Sequence, residues 1–330
     1  MGEVDAQALN RREFRGVCRA CDAPNGQSGK EHSGDTHDNP PMAFGHDVRL
    51  IPPAYVKPYL RRQKNDAADA AAICEAVTRP SMRFVPIKTP QQQSTLMLHG
   101  ARDLLIGQRT ALINALRGHF AELGIVVAQG ARNTRQLIAY LQDETTPDLP
   151  ATARIALQPP AAMLVEVEAQ IAKLDKAILA AHRSDPVSTR LAGIPGIGPI
   201  VASCLSASVP DPSLFQGGRE FAAYLGLVPR QHSTGGKARL GSISKMGNRH
   251  LRKLLVVGAH AALYSMKSGK TRTAIADWAR TLLAKKPFKV VAVALANKIA
   301  RIAWAVMARS TAYEPRSQGA AASAASSTTR

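Results

Sequence analysis

Asp66 and Asp69 stand three residues apart in the stretch Lys64-Asn65-Asp66-Ala67-Ala68-Asp69-Ala70. On a helix this spacing projects both carboxylates from one face. A carboxylate pair suits a Mg²⁺ ion that works on phosphates. It suits equally well the first turn of a helix, where acidic side chains meet the positive end of the dipole and Asp66 could serve as a cap. The pair alone leaves the two readings even.

A second constellation opens at residue 191 with LAGIPGIGPIVA. It predicts a helix end, a hairpin around Gly196 and Gly198, and a new helix from Pro199. Two glycines let the backbone approach a ligand closely, and the N–H groups of the following helix point outward. This is a helix-hairpin-helix pattern, which grips a DNA phosphate without reading bases. A plain glycine-rich turn between helices is the simpler reading, and the basic surroundings favour phosphate binding. Farther on, residues 226–253 mix small hydroxyl residues with glycine and a series of cations: Arg230, Lys237, Arg239, Lys245, Arg249, Arg252 and Lys253. Such a segment predicts a flexible loop that wraps phosphates. A serine in it could attack phosphorus if neighbouring cations hold the developing charge. Composition does not choose among Ser233, Ser242 and Ser244, and phosphate contact is the ordinary role for any of them.

The charge distribution points the same way. The 330-residue chain carries a formal net charge of +19, with 45% hydrophobic and 20% charged residues. That balance excludes wholesale disorder. Residues 190–316 hold 20 basic and 4 acidic side chains, whereas residues 1–189 hold 22 and 20. A polyanion therefore belongs on the second half. Four cysteines, an arginine-rich start without an apolar segment, and an apolar run at residues 290–296 too short to span a bilayer imply a soluble cytoplasmic protein.

The elements that must position these residues are mostly helical. Residues 1–42 are polar and aperiodic and predict disorder. Within them Cys18-x2-Cys21 and His32-x4-His37 resemble zinc-ligand spacing, but the linker is short and lacks packing residues, so coincidence is favoured. Residues 46–51 alternate as a strand, residues 54–77 read as one helix carrying the aspartates, and residues 82–87 alternate as another strand, a β-α-β fragment. Residues 90–185 read as a helical region, with one long amphipathic helix over 96–123 ended by Gly124. A second helix is predicted after Pro159-Pro160. In it Leu164, Val167, Ile171, Leu174 and Ile178 form a heptad seam, either of a hairpin or of a coiled-coil dimer arm. Residues 186–312 form a helical, Gly-studded C-terminal domain, and residues 313–330 a disordered tail.

Taken together, PPAYVKPYLRRQKNDAADAAAICEAV, LAGIPGIGPIVA and YLGLVPRQHSTGGKARLGSISKMGNRHLRKLL resemble transposases of the insertion sequence 110 family, most closely its insertion sequence 1111 branch. The resemblance runs from about residue 43 to about residue 312. It implies a RuvC-like, RNase H-type α/β domain (here only its remnant, residues 43–89), a coiled coil, and a helical C-terminal transposase domain. It further implies a DEDD acid set holding Mg²⁺, a serine that attaches covalently to DNA, a structured guide RNA, and a higher-order homo-oligomer on DNA. The last two acids of the set match Asp66 and Asp69. The family serine lies just before a loop glycine. Ser233 is the nearest serine, with Thr234 between it and Gly235, so this register is open by one residue. The first Asp and the Glu find no match in residues 1–42. The resemblance therefore predicts a recombinase with retained nucleic-acid binding but impaired strand transfer. The alternative is a helix-hairpin-helix binding protein without catalysis. A membrane-surface role is distant, because the cations sit among glycine-rich loops rather than on one amphipathic face.

Overall fold

The computed structural model describes residues 16–19, 48–60, 65–130, 133–143, 149–237, 239–269 and 273–315. The chain divides into two units, Met1–Thr89 and Pro90–Arg330, and the described residues are mainly helical.

In the first unit, strand β1 (Gly16–Arg19) pairs antiparallel with β2 (Val48–Ile51). Of residues 1–42, expected to be disordered, only this strand lies among the described residues. Cys21, His32, His37 and the rest of residues 1–42 lie outside the described residues. The single helix expected over 54–77 is broken. A short helix α1 (Pro53–Val56) tightens into a 3₁₀ turn (Lys57–Tyr59), and α2 (Asp66–Val77) starts afresh. Pro58 lacks the N–H a continuing helix needs. Asn65 then caps α2, its side chain accepting from the Ala67 N–H at 3.0 Å. The strand expected at 82–87 is reduced to one antiparallel bridge, Leu50 with Val85. Pro86 follows at once and cannot donate to a ladder. The alternation there reflects burial instead: Met82 and Phe84 pack with Ile51, Val56, Ala72 and Ala76 in a small core.

The second unit opens with α3 (Pro90–Glu122), which ends as expected at Gly124, held at φ 79°. After α4 (Thr134–Gln142) comes α5 (Ala151–Ser184), which starts eight residues before Pro159 and runs through both prolines. An interior proline costs a helix about 3 kcal/mol, so packing must offset it. Leu157, Ala161 and Leu164 flank the prolines on one buried face and join Ile113, Leu116, Phe120 and Leu137 in a core cluster. Of the heptad seam, Leu164, Ile171 and Ile178 are buried and Val167 and Leu174 half-buried. α5 packs along α3 of the same chain, bridged by Arg102 to Asp175 at 2.5 Å, so the seam serves an intramolecular hairpin.

The main core lies farther on. It is built by α6 (Pro186–Leu191), α7 (Pro199–Ser208), α8 (Gly218–Tyr224), α9 (Arg249–Lys267), α10 (Ala274–Leu283) and α11 (Phe288–Arg309). α11 is long and apolar enough to cross a membrane by length and composition. Its Val291, Leu295, Ile299, Ala303 and Val306 are instead buried in this core. The expectation of an all-helical segment fails at one place. β3 (Pro229–Gln231) and β4 (Leu240–Ile243) form an antiparallel hairpin where a flexible loop was expected. Its strands are almost wholly exposed, so they carry no apolar alternation by which a strand is recognised.

Candidate nucleic-acid interface

The hairpin turns at Thr234-Gly235-Gly236-Lys237. Gly235 and Gly236 both adopt positive φ (56° and 77°), and the Lys237 N–H donates to the Thr234 carbonyl at 3.1 Å. That is the geometry of a two-residue primed turn, which two glycines permit without strain. Ser233 lies between the end of β3 and this turn. Its Oγ accepts from the Arg239 N–H at 3.0 Å. Thr234, not Ser233, directly precedes the turn glycine. Ser233, Lys237, Arg239 and Arg230 are all exposed, so the hairpin presents a hydroxyl among cations to solvent.

The loop after the hairpin is rigid. Lys245 holds a left-handed φ of 56°, and its N–H donates to the Gly226 carbonyl at 3.1 Å. Arg230 donates to the Ser244 carbonyl at 3.2 Å. Gly247 lies against the end of α8, where a Cβ would fall 1.8 Å from the Tyr224 carbonyl oxygen. Asn248 then caps α9, accepting from the His250 and Leu251 N–H groups at 2.9 and 3.1 Å. Like Arg230, two further predicted phosphate ligands have internal partners. The Arg252 guanidinium donates to the Leu225 and Met246 carbonyls at 3.0 and 2.8 Å, and the Lys253 ammonium lies 2.6 Å from Asp103 Oδ1. Arg252 thus ties the loop to the end of α8, and Lys253, still exposed, ties α9 to α3.

Between α6 and α7 the chain turns through residues 192–198, and α7 starts at Pro199 as expected. Ile194 and Ile197 are buried in the core. Gly196 has φ 90° and packs on α9, where a Cβ on Gly258 would fall 2.0 Å from the Gly196 carbonyl oxygen. Its missing side chain therefore serves helix packing. Gly198 is exposed at the N-cap of α7, with no side-chain cap and Pro199 following. Of the pair, Gly198 is the one open to a ligand.

In the first unit Asp66 is exposed and Asp69 half-buried, one turn apart at the start of α2. Among the described residues no third acidic, histidine or cysteine side chain gathers with them. Two carboxylates still fit a Mg²⁺ ion that completes its shell with water and substrate phosphate.

Sequence reasoning missed a groove of about 1560 Å³ walled by the start of α8, β4, α10, α11 and residues 311–314. Arg219, Lys289, Lys298 and Arg301 line it beside Trp278 and Trp304, the chain's two tryptophans. Lys298 Nζ sits 4.2 Å from the centre of the Trp278 ring. Burial, and then neighbouring Arg301, hold its ammonium below the ordinary lysine value. Trp304 donates its indole N–H to the Pro212 carbonyl at 3.0 Å. Ser242 also lines this groove, whereas Ser233 does not. The signal in the sequence was the row of cations on an apolar C-terminal helix, but nothing local links that row to Trp278 or Arg219.

Comparison with known proteins follows from these segments. Residues 188–276 match the family described as Transposase IS116/IS110/IS902 family, and residues 36–125 match DEDD_Tnp_IS110, described as a transposase. The chain is 49% identical over 271 residues to a putative transposase, y4pF/y4sB, of Sinorhizobium fredii, covering 82% of this chain and 69% of that protein. It is 47% identical over 273 residues to a probable family 20 transposase of Pseudomonas aeruginosa, covering 82% and 80%. It is 39% identical over 273 residues to the transposase for insertion sequence element IS1111A of Coxiella burnetii, covering 82% and 74%.

Proposed function

Because the chain belongs to the IS116/IS110/IS902 family of transposases, we propose that it binds the ends of an insertion element, a target DNA and a structured guide RNA, and recombines DNA through a serine and metal-bound carboxylates. One observation carries this reading: the cationic excess of residues 190–316 lies in the segment that builds the exposed hairpin, the rigid loop after it and the aromatic groove. Arg230, Lys237, Arg239, Lys245 and Arg249 would bind phosphates, with the α7 N-terminus at Gly198 as a further phosphate contact. Ser233 would be the nucleophile. Its Oγ already accepts one backbone hydrogen bond, and the surrounding cations would stabilise charge on an attacked phosphate. Asp66 and Asp69 would hold the Mg²⁺, which supplies charge neutralisation on the phosphate. The RuvC-like and helix-hairpin-helix assignments, and assembly as a homo-oligomer on DNA, belong to this same reading.

Only two of the four family acids have a match in this chain, so binding is expected without efficient chemistry. The purified chain with its cognate RNA should shift element-end DNA in a gel, while Mg²⁺-dependent strand exchange stays near background. Clear turnover that disappears in Ser233→Ala would overturn the impaired-catalysis part. A second reading, a non-catalytic binding protein, is favoured by the lack of a third carboxylate near Asp66 and Asp69 among the described residues. It predicts no serine-linked DNA adduct surviving denaturation under any condition.

The groove carries its own prediction. Cations beside half-buried aromatic rings that line a groove suit unpaired bases. Since both tryptophans line the groove, a single-stranded oligonucleotide should quench most of the intrinsic tryptophan fluorescence. Trp278→Ala should weaken that binding about tenfold or more through lost stacking, with the salt dependence almost unchanged. A Trp278→Ala chain that binds as tightly as the parent removes the groove from the interface.

A further inference from the structure

Away from the basic surface, His99 on α3, Cys204 on α7 and His250 on α9 converge inside the second unit. One nitrogen of each imidazole and the Cys204 sulfur lie within 4.8 Å of one another. His99 is 2% exposed and Cys204 1%.

The hydrogen bonds around the two rings assign their protons. Ser203 Oγ lies 3.3 Å from the Ile200 carbonyl and 3.0 Å from His99 Nε2; with its own hydrogen on that carbonyl it accepts from Nε2, the tautomer that leaves Nδ1 as a lone pair. His250 Nδ1 faces the Asp103 carboxylate at 3.5 Å, which only accepts, so Nδ1 carries the hydrogen there. The remaining nitrogens, His99 Nδ1 and His250 Nε2, are buried and have no hydrogen-bond partner. Both are lone pairs, and a single thiol proton could serve only one of them. Two unsatisfied buried acceptors are costly in a core.

We propose that His99, Cys204 and His250 form a binding site for a borderline-soft divalent cation of the zinc class, clamping α3, α7 and α9 together. Two imidazoles and a thiolate match zinc or cobalt and not Mg²⁺, which takes oxygen ligands. Ser203 and Asp103 orient the two rings through their outer nitrogens, as partners of metal-bound histidines do. Burial, and then the neighbouring His250 and Arg102, depress the His99 pKa to about 4, in keeping with a neutral ring near pH 7. Burial pushes the Cys204 thiol up to about 12, so the metal-free thiol is protonated and binding releases one proton to solvent. The fourth coordination position falls to a water molecule. His250 is the second residue of α9, next to Arg249 and just after the loop that carries Lys245, so an occupied site would anchor the base of that loop. This inference stands apart from the transposase reading and survives its failure.

The test uses the full chain. After purification with zinc and exhaustive dialysis, elemental analysis should find about one zinc per chain. Cobalt added to the stripped protein should give visible d–d bands and a near-ultraviolet thiolate-to-cobalt band. Cys204→Ser should remove the thiolate band, while a Cys18→Ser/Cys21→Ser variant should keep it. Zinc should raise the melting temperature of the stripped parent by about 5 °C and leave that of Cys204→Ser unmoved. Since Cys204→Ser need only fold as well as the chelated parent, its circular dichroism is compared with that state. No retained zinc and no cobalt bands in the parent overturn the proposal. So do bands that survive Cys204→Ser or vanish with the Cys18 and Cys21 substitutions.

Discussion

Gly247→Ala is expected to destabilise the second unit by about 3 kcal/mol, a drop of about 10 °C in melting temperature, and to weaken DNA binding with it. Two separate features act there. Gly247 has φ 75°, which disfavours any side chain, and its added Cβ would meet the Tyr224 carbonyl oxygen at 1.8 Å. That neighbour is backbone at the end of α8 and cannot swing aside. Gly235 isolates the first feature, since it has φ 56° but nothing within 4 Å of its Cβ position. Gly235→Ala should therefore cost only about 1 kcal/mol. Urea denaturation of both variants measures the difference. Equal losses would mean that the close approach of loop to helix contributes nothing.

Replacing Arg230, Lys237, Arg239, Lys245 and Arg249 together by glutamine should lower DNA affinity by about a thousandfold or more near 0.1 M salt. The slope of log K against log salt should shrink by about 4.5, because each of the five neutralised phosphate contacts releases about 0.9 counterion. Fluorescence anisotropy over a salt series reads both. Arg252→Gln should act differently. Its guanidinium serves the Leu225 and Met246 carbonyls, so stability should fall while the slope barely changes. An unchanged slope in the five-residue variant would shift the phosphate contacts elsewhere, with Lys289, Lys298 and Arg301 of the groove next in line.

Legibility followed the range of the interactions. The end of α3 at Gly124 and the turn from α6 to α7 were readable because a breaker within one or two residues decides them. The hairpin of β3 and β4 was not, since exposed strands lack the alternation that burial imposes. Pro159 and Pro160 misled for the opposite reason. The local rule says stop, but Leu157, Ala161 and Leu164 are buried on both sides of the prolines and carry the helix through. Likewise, the alternation at residues 82–87 was real, yet it recorded the packing of Met82 and Phe84 and not a ladder.

The candidate site divides in the same way. Residue types close in sequence announced the carboxylate pair, the glycine turn and the basic segment, and their order carried the family. Charge counting also located the cationic excess on the second half. Spatial convergence decided the rest. Arg252 and Lys253 read as phosphate ligands, and only the fold shows that Arg252 also serves the Leu225 and Met246 carbonyls and Lys253 the Asp103 carboxylate. Trp278, Arg219 and Lys298 became one groove, and His99, Cys204 and His250 one cluster, only because separate helices cross there. The sequence by itself thus determined chemistry whose partners lie within a turn or two along the chain. The tertiary structure decided which cations are free and which distant ligands meet, because hydrogen bonds and lone pairs act over about 3 Å, a range that says nothing about separation along the chain.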